Sequence, residues 1–473
     1  MLSTMASREL KRPVKTGLTR QQVFHSTTRC SDTIQRVWLG ASVDGKLTAI
    51  GHDTWSHSAR FDDFYENASM QTRSLYAAPN RLTTYRSVGL DLPVSDSASA
   101  PGEAVGMLLL EGAMDELALR LRNEPPVDPE LIVPYSSRQL AAYLREGAKR
   151  FGSERRHAKH DTQAEGRWLI GIGVAAATRG NLLMPSSCSV SLDKQGVLTM
   201  RMAMTDISPG SYTVFTQIAA ELLGLRMDQV CLQPGDSDTP PTPGSGGSCG
   251  AASAESGLYD GRINLPDKLI AKLGITSSEA SFSNGRIASA GRSASLGSPA
   301  GTMGIAASGE IKPGELKIKY SQLAYGAHFS GVAVDRGTGE IRLPRMLGVF
   351  AAGRIFNEKT AKSQAVGAMI WGVGSALDED AIVDGRHGCF VNHDIAEHHV
   401  PLHADILAVE AHFLPEVDDK TNPLKIKDVG ELGICGAGAA IANAVYKPCG
   451  VRIREFPLTL DRVLAGMERQ RNA

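Results

Sequence analysis

The chain has 473 residues, 50 Lys and Arg against 51 Asp and Glu, and a net charge of -1. That balance argues against a nucleic-acid binder and against a polybasic membrane anchor, and no apolar run approaches the ~20 residues of a membrane span. At 42% hydrophobic and 21% charged, the composition is that of a globular protein. The N-terminal segment MLSTMASRELKRPVK has no apolar core, so it does not read as a secretory signal.

In chain order, residues 33–59 show two alternating runs around Asp44-Gly45, which predicts a hairpin. YRSVGLDLPV reads as a further strand. Apolar residues at helical spacing predict a helix over 101–122, and a second over 137–150 with Ser137 as its cap. Residues 151–165 are polar and aperiodic, a linker or long surface loop. A new unit opens at GRWLIGIGVAAAT, with strands at 187–193 and 197–205. Over 211–224, Tyr212, Phe215, Ile218, Ala219, Leu222 and Leu223 share one helical face, and Gly224 closes the helix. Residues 226–233 read as a strand, and the Ser/Gly/Ala-rich stretch 275–301 as an exposed excursion. Strands return at 315–349 around the turn RGTGE, and helices fit 360–377 and 434–447. This mixture predicts an α+β chain rather than a regular βαβ series.

The seven cysteines (30, 188, 231, 249, 389, 435 and 449) contain no C-x-x-C pair. Their spacing supports neither an iron–sulfur cluster nor a disulfide framework, so electrons from any redox reaction must leave through another chain.

Four segments carry candidate chemistry. PPTPGSGGSCGAAS (240–253) exposes consecutive backbone N–H groups before a helix start, which suits an oxyanion. It lacks the Lys-Ser/Thr of a P-loop. In DVGELGICGAGAAIANAVY (428–446), Glu431 stands between glycines before an Ala/Gly-rich helix. Burial there should raise its pKa toward that of a general base, and the competing reading is a helix-entry carboxylate that favours the dipole. In GRIFNEKTAKSQAVGAMIWGVGSAL (353–377), Asn357, Lys359, Thr360 and Gln364 offer polar groups at helical spacing. The run at 392–405 holds His393, His398, His399 and His403, whose spacing matches no metal motif and reads as packing or solvent-facing.

These segments occur in one order with RPVKTGLTRQQVFH, SLYAAPNRLT, PGEAVGMLLLEGAMDEL, GRWLIGIGVAAATRGN and GDSDTPPTPGSGGSCGAAS. Together they resemble the molybdenum-binding large subunit of the xanthine dehydrogenase/aldehyde oxidoreductase family, closest to its periplasmic aldehyde oxidoreductase group. The resemblance implies two molybdopterin-binding α/β domains, over 1–155 and 156–473, without the N-terminal hammerhead domain and its Gly-Gly-Phe-Gly-type loop. It implies a molybdenum–molybdopterin cytosine dinucleotide, with the metal held through the pterin and by no protein ligand. By position, the cofactor contacts are Ser208, Pro209, Gly210, Ala251, Ala252, Arg354, Ile355, Phe356, Asn357, Glu358, Lys359, Thr360, Gln364, Lys427, Asp428, Val429 and Gly430.

Glu431 matches the family's catalytic base, and Arg179 falls where the substrate pocket is lined. The implied reaction oxidises an aldehyde to a carboxylic acid with water as oxygen source. Electrons pass to a 2Fe-2S small subunit and an FAD medium subunit. The implied compartment is the cytoplasm, or the periplasm through co-export with a signal-bearing small subunit. Two residues depart from the family pattern: Pro209 removes an N–H donor, and Asp428 replaces a usual Gly with a charge. Both should weaken cofactor binding. The stretch Asp115–Asn123 also reads as shortened. The alternative reading is therefore an inactive remnant that keeps the fold and its subunit-binding surface.

Overall fold

The computed structural model describes residues 1–117, 120–153, 164–274, 280–289 and 292–471. Most of the expected linker at 151–165, and part of the stretch 115–123, lie outside the described residues.

The Asp44-Gly45 hairpin forms as expected. Strands β1 (Thr33–Ala41) and β2 (Leu47–Ala59) pair antiparallel, and Gly45 takes φ 82 at the turn. That positive φ costs glycine little and other residues much. Strand β3 (Asn80–Leu90) adds parallel to β2. Helix α1 (Glu103–Leu117) and helix α2 (Leu140–Phe151) follow. Ser137 does not cap α2. Gln139 occupies that position, and the Ser137 hydroxyl donates to Glu416 instead.

Strand β4 (Trp168–Gly180) is the centre of the molecule. Its sequence GIGVAA places Gly171, Gly173 and Ala175 on one face and Ile172, Val174 and Ala176 on the other, because side chains alternate along a strand. Strands β5 (Ser186–Leu192) and β6 (Leu198–Met202) match expectation. Helix α3 (Ser211–Leu223) ends at Gly224 with φ 61. Phe215, Ile218, Ala219 and Leu223 are buried as the period predicts, while Tyr212 is exposed. Strand β7 (Val230–Pro234) and the long helix α4 (Gly250–Leu273) follow.

The 275–301 stretch is not a simple excursion. Its described part forms a small antiparallel sheet (Ser281–Ser283, Arg286–Ser289, Arg292–Ser295), and Ile287 and Leu296 join a hydrophobic core. Ala300 is buried there as well, and Phe282 and Ala294 pack against the same core, which anchors the stretch despite its many serines.

The remaining elements are β8 (Ile305–Ile311), β9 (Leu323–Asp335), β10 (Ile341–Ala351), α5 (Glu358–Leu377), β11 (Val409–Phe413) and α6 (Ala437–Cys449). One mixed sheet runs β11-β10-β9-β4, with the two-residue strand Ala164–Glu165 at its edge. A second runs β8-β5-β6-β7. Helix α6 lies on β4 so closely that a Cβ at Gly171 or Gly173 would stand 2.0 Å from the carbonyl oxygens of Ala444 or Ala440. The opposite face of the first sheet shares a core with α1, α2 and β2, through Met107, Tyr143, Val174, Phe329 and Leu347. Residues on both sides of position 155 thus contribute to one packed interior. No helix among the described residues is long and apolar enough to cross a membrane.

Candidate active site

Glu431 lies in a series of tight turns that ends at Gly436, the residue before α6. Gly436 has φ 81, and a Cβ there would stand 2.2 Å from the Ala176 carbonyl oxygen. Only glycine fits, and the close approach presses the turn against the end of β4. Arg179, three residues beyond Ala176, therefore reaches Glu431.

Arg179 is buried among three carboxyl groups. Its Nη2 donates to Glu431 Oε2 at 2.7 Å and its Nε to the same oxygen at 3.3 Å. Its Nη1 donates to Glu103 Oε1 at 2.5 Å, and Asp428 Oδ2 lies 3.5 Å from Nε. Burial by itself would lower the guanidinium pKa, but Glu103, Asp428 and Glu431 together hold it above its usual value. Two further donors grip Glu431. The Ala100 N–H reaches Oε1 at 2.8 Å and the Ser248 hydroxyl reaches Oε2 at 3.0 Å. Ala100 and Ser248 both sit at φ 50, a backbone region that non-glycine residues rarely adopt. Such strain persists only where the surroundings enforce it, and functional sites are where it gathers.

The drying that sequence context assigns to Glu431 falls on its neighbours. The Glu431 side chain keeps 14% exposure, against 1% for Asp428 and 0% for Glu103. Burial pushes the Asp428 carboxyl up to about 8, with Glu431 and Glu103 adding to the rise and Arg179 opposing it. Burial likewise raises Glu103, against the pull of Arg179. Burial therefore disfavours the charged form at position 428.

The other candidates fall into three groups. Gln364 and Gly430 belong to the Glu431 cluster: a Cβ on Gly430 would lie 3.0 Å from Ser248 Oγ and 3.6 Å from Gln364 Oε1. Val429 packs its side chain against the main core. A second group surrounds the abutting starts of α3 and α5. A Cβ on Gly210 would lie 2.9 Å from Thr360 Cγ2, and Asn357 caps α5 through Thr360 N–H at 3.0 Å while donating to Gln217 Oε1 at 2.9 Å. Pro209 sits there between Ser208 at φ 74 and Gly210 at φ 91. Ala251 is exposed and Ala252 buried at the start of α4. Ile355 and Phe356 pack their side chains against the two cores.

The third group points elsewhere. The Lys427 ammonium is fully buried, 2.9 Å from Asp418 and 3.3 Å from Glu416. Arg354 pairs with Glu221 at 2.5 Å and stacks on Phe356. Glu358 pairs with Lys362 at 2.6 Å, and Lys359 is exposed. His393 and His398 meet His25 and Phe24 edge to face, a packing role.

Glu103, Ala100 and Ser248 escaped the sequence reading. Ser248 lies inside the flagged Gly-rich loop, whereas Glu103 looks like any first-turn helix acid.

The residues fit a large anionic pterin cofactor. The starts of α3, α4 and α5 supply N–H groups and favourable dipoles. At Gly244 and Gly246 an added Cβ would meet nothing within 4 Å, so that backbone is open to a ligand. Among the described residues, no group of three or more His, Cys, Asp or Glu side chains is placed to hold a metal ion.

Two family models, each described as a molybdopterin cofactor-binding domain, match residues 1–126 and 146–407. The aldehyde oxidoreductase molybdenum-binding subunit PaoC of Escherichia coli K12 is 44% identical over 98% of this chain and 65% of that protein. The probable hypoxanthine oxidase XdhD of the same strain is 28% identical over 97% of this chain and 51% of that protein. Among solved structures, quinoline 2-oxidoreductase from Pseudomonas putida 86 matches with a TM-score of 0.85 at 20% identity, over 99% of this chain and 66% of that one. Aldehyde oxidoreductase from Desulfovibrio desulfuricans ATCC 27774 matches at 0.82 and 21%, over 98% of this chain and 52% of that one. Both structural likenesses concern the fold. This chain spans 65% and 51% of the two curated relatives named here.

Proposed function

Because the chain belongs to the molybdopterin cofactor-binding domain family, within the molybdenum-binding large subunits of the xanthine dehydrogenase/aldehyde oxidoreductase type, we propose that it forms the catalytic part of an aldehyde-oxidising molybdenum hydroxylase. The product is the carboxylic acid, and water supplies the added oxygen. When bound, the molybdenum–pterin group supplies two-electron oxidation and lowers the pKa of water.

The protein's own residues bind, orient and move a proton. The starts of α3, α4 and α5, with Gly210, Thr360 and Gln364, hold the cofactor, taken as the cytosine dinucleotide form. The Glu431 carboxylate receives the proton released as the new carbon–oxygen bond forms. Ala100 N–H and Ser248 Oγ fix its plane from opposite oxygens, at 2.8 and 3.0 Å. Arg179 holds it from a third direction and lines the pocket where the aldehyde sits. Placing a base in this way accounts for rate factors of roughly 10²–10⁴.

Electrons leave to 2Fe-2S and FAD subunits, a reading that rests on cysteine spacing and on relatives named as subunits. We place the assembly in the cytoplasm or, through a signal-bearing partner, in the periplasm. Two units, 1–155 and 156–473, remain our division of the chain.

The observation that carries this reading is the Glu431 carboxylate gripped by Ala100, Arg179 and Ser248, next to the open glycine loop that carries Ser248. The test is co-expression with the partner subunits, followed by metal analysis and an aldehyde-oxidation assay. The reading expects about one molybdenum per chain and an activity abolished by Glu431→Gln. Absence of molybdenum, or full activity in that variant, overturns it in favour of a remnant that keeps only the fold.

A further inference from the structure

Lys427 stands where the resemblance puts a cofactor contact, yet its side chain is 0% exposed. Three oxygens surround the ammonium, as many as it has hydrogens. It donates to Ser137 Oγ and, at 3.3 Å, to Glu416 Oε1, and it pairs with Asp418 Oδ2 at 2.9 Å. All three hydrogens are thus directed at protein oxygens, and the group is turned away from any phosphate.

Glu416 carries the contact onward. Its Oε1 accepts from Lys427 and from the Ser137 hydroxyl, and its Oε2 accepts the Gly353 N–H at 2.6 Å. Gly353 opens the segment that leads from β10 into α5, where Asn357 caps the helix and Thr360 meets Gly210. Lys427 opens the turn that leads to Glu431. The same two segments also touch through their backbones. The Lys427 N–H donates to the Ala352 carbonyl at 3.1 Å, and the Arg354 N–H to the Lys425 carbonyl at 2.9 Å. Gly353 takes φ 67, and a Cβ there would stand 2.5 Å from the Lys425 carbonyl oxygen. Lys425 itself holds φ 61, a region rare for a residue other than glycine. The path from Lys427 through Glu416 to Gly353 is therefore a second tie between two segments that already touch. One tie leaves a hinge, whereas two fix an angle.

We propose that Lys427 is a positioning residue: through Glu416 and the Gly353 N–H it clamps the segment that opens α5 to the turn that carries Glu431. The arm that holds the cofactor and the carboxylate that takes the proton then keep one fixed relation. A buried ion pair is weak as a source of stability, because desolvation offsets its attraction, and a fixed relation between two arms is the use that this geometry serves. The catalytic part of the proposal rests on Glu431 being the base. The clamp itself is a property of the chain with or without turnover.

The test is hydrogen exchange read by mass spectrometry on the full chain. Lys427→Met alone leaves Glu416 and Asp418 buried without their cation and risks unfolding the chain, so Lys427→Met/Asp418→Asn is measured beside it, a variant that removes one charge of each sign. The clamp predicts that exchange in this double variant rises at least about 10-fold in both 352–360 and 428–436, while β1, β2 and α4 keep their rates. In the complex loaded with cofactor, kcat per bound molybdenum should fall at least about 10-fold with KM unchanged, since a misplacement of about 1 Å at a reacting group costs up to roughly 10²-fold. Faster exchange in one segment only, in neither, or throughout the chain overturns the proposal. So does a double variant that does not fold, or one that raises KM and leaves kcat as it was. If the wild-type complex oxidises no aldehyde, the aldehyde-oxidation reading fails while the exchange measurement still decides the clamp.

Discussion

Arg179 Nη2 and Glu431 Oε2 stand 2.7 Å apart although 252 positions separate them in the chain. The contact joins the end of the central strand β4 to the turn that leads into α6. The same guanidinium reaches Glu103 on α1. One cation thus ties the candidate base to two other parts of the fold.

Replacing Glu431 by Gln keeps the volume and the Ala100 N–H acceptor but removes the proton-accepting oxygen. The expected result is a fall in kcat of at least about 10²-fold with cofactor content unchanged. Steady-state kinetics beside metal analysis checks it. An equal loss of molybdenum and activity would instead make Glu431 a binding residue.

Arg179→Met leaves Glu103, Asp428 and Glu431 crowded without their cation. Removing one partner of a buried ion pair typically costs about 3–5 kcal/mol, and chemical denaturation should show a loss of that size. Adding Glu103→Gln should recover part of it, since Glu103 Oε1 makes the 2.5 Å contact to Arg179. No recovery in the double variant would show that the two residues are not coupled.

Gly436→Ala puts a methyl 2.2 Å from the Ala176 carbonyl oxygen, in a backbone region with φ 81. Left-handed strain and overpacking together should cost about 2–4 kcal/mol. Gly430→Ala is different in kind. Its Cβ would meet Ser248 Oγ at 3.0 Å, so it should disturb the site and leave the melting temperature nearly unchanged. Comparing the two melting curves, and the cofactor load of the second variant, tests this contrast.

His52 and His328 are buried, and that burial lowers both from 6.5 to about 4. Above 6.5 neither residue takes up a proton in the folded or the unfolded chain. As pH falls from 6.5 through about 4, the unfolded chain binds protons that the folded one refuses, so stability is lost across that window. His328→Leu should make the fall of the denaturation midpoint with pH shallower there. An unchanged slope in paired titrations would mean that His328 is not the group responsible.

Local structure was legible where a local cause fixes it. The Asp44-Gly45 turn and the period of α3 are written in neighbouring residues, and so is the stop at Gly224. Ser137 was misread because its hydroxyl serves Glu416, 279 positions away. The Ser-rich strands at 281–295 were missed because a few core contacts, through Phe282, Ile287, Ala294 and the following Leu296, outweigh a polar composition. Glu431 itself stood out through its glycine neighbours. Its grip did not, because Ala100, Arg179 and Ser248 meet Glu431 only through the tertiary fold. Nothing near Glu103 in sequence marks it as the anchor of Arg179, and nothing near Asp428 foretells how deeply it is buried.

The glycine row of β4 has a consequence for how this protein tolerates change. With α6 seated at backbone distance on Gly171 and Gly173, the turn ahead of it has no slack in which to absorb a displaced helix. Variation that enlarges these two positions should be purged even when the pocket wall is untouched. Change is then confined to positions away from this contact, while the strand and the helix on it stay frozen.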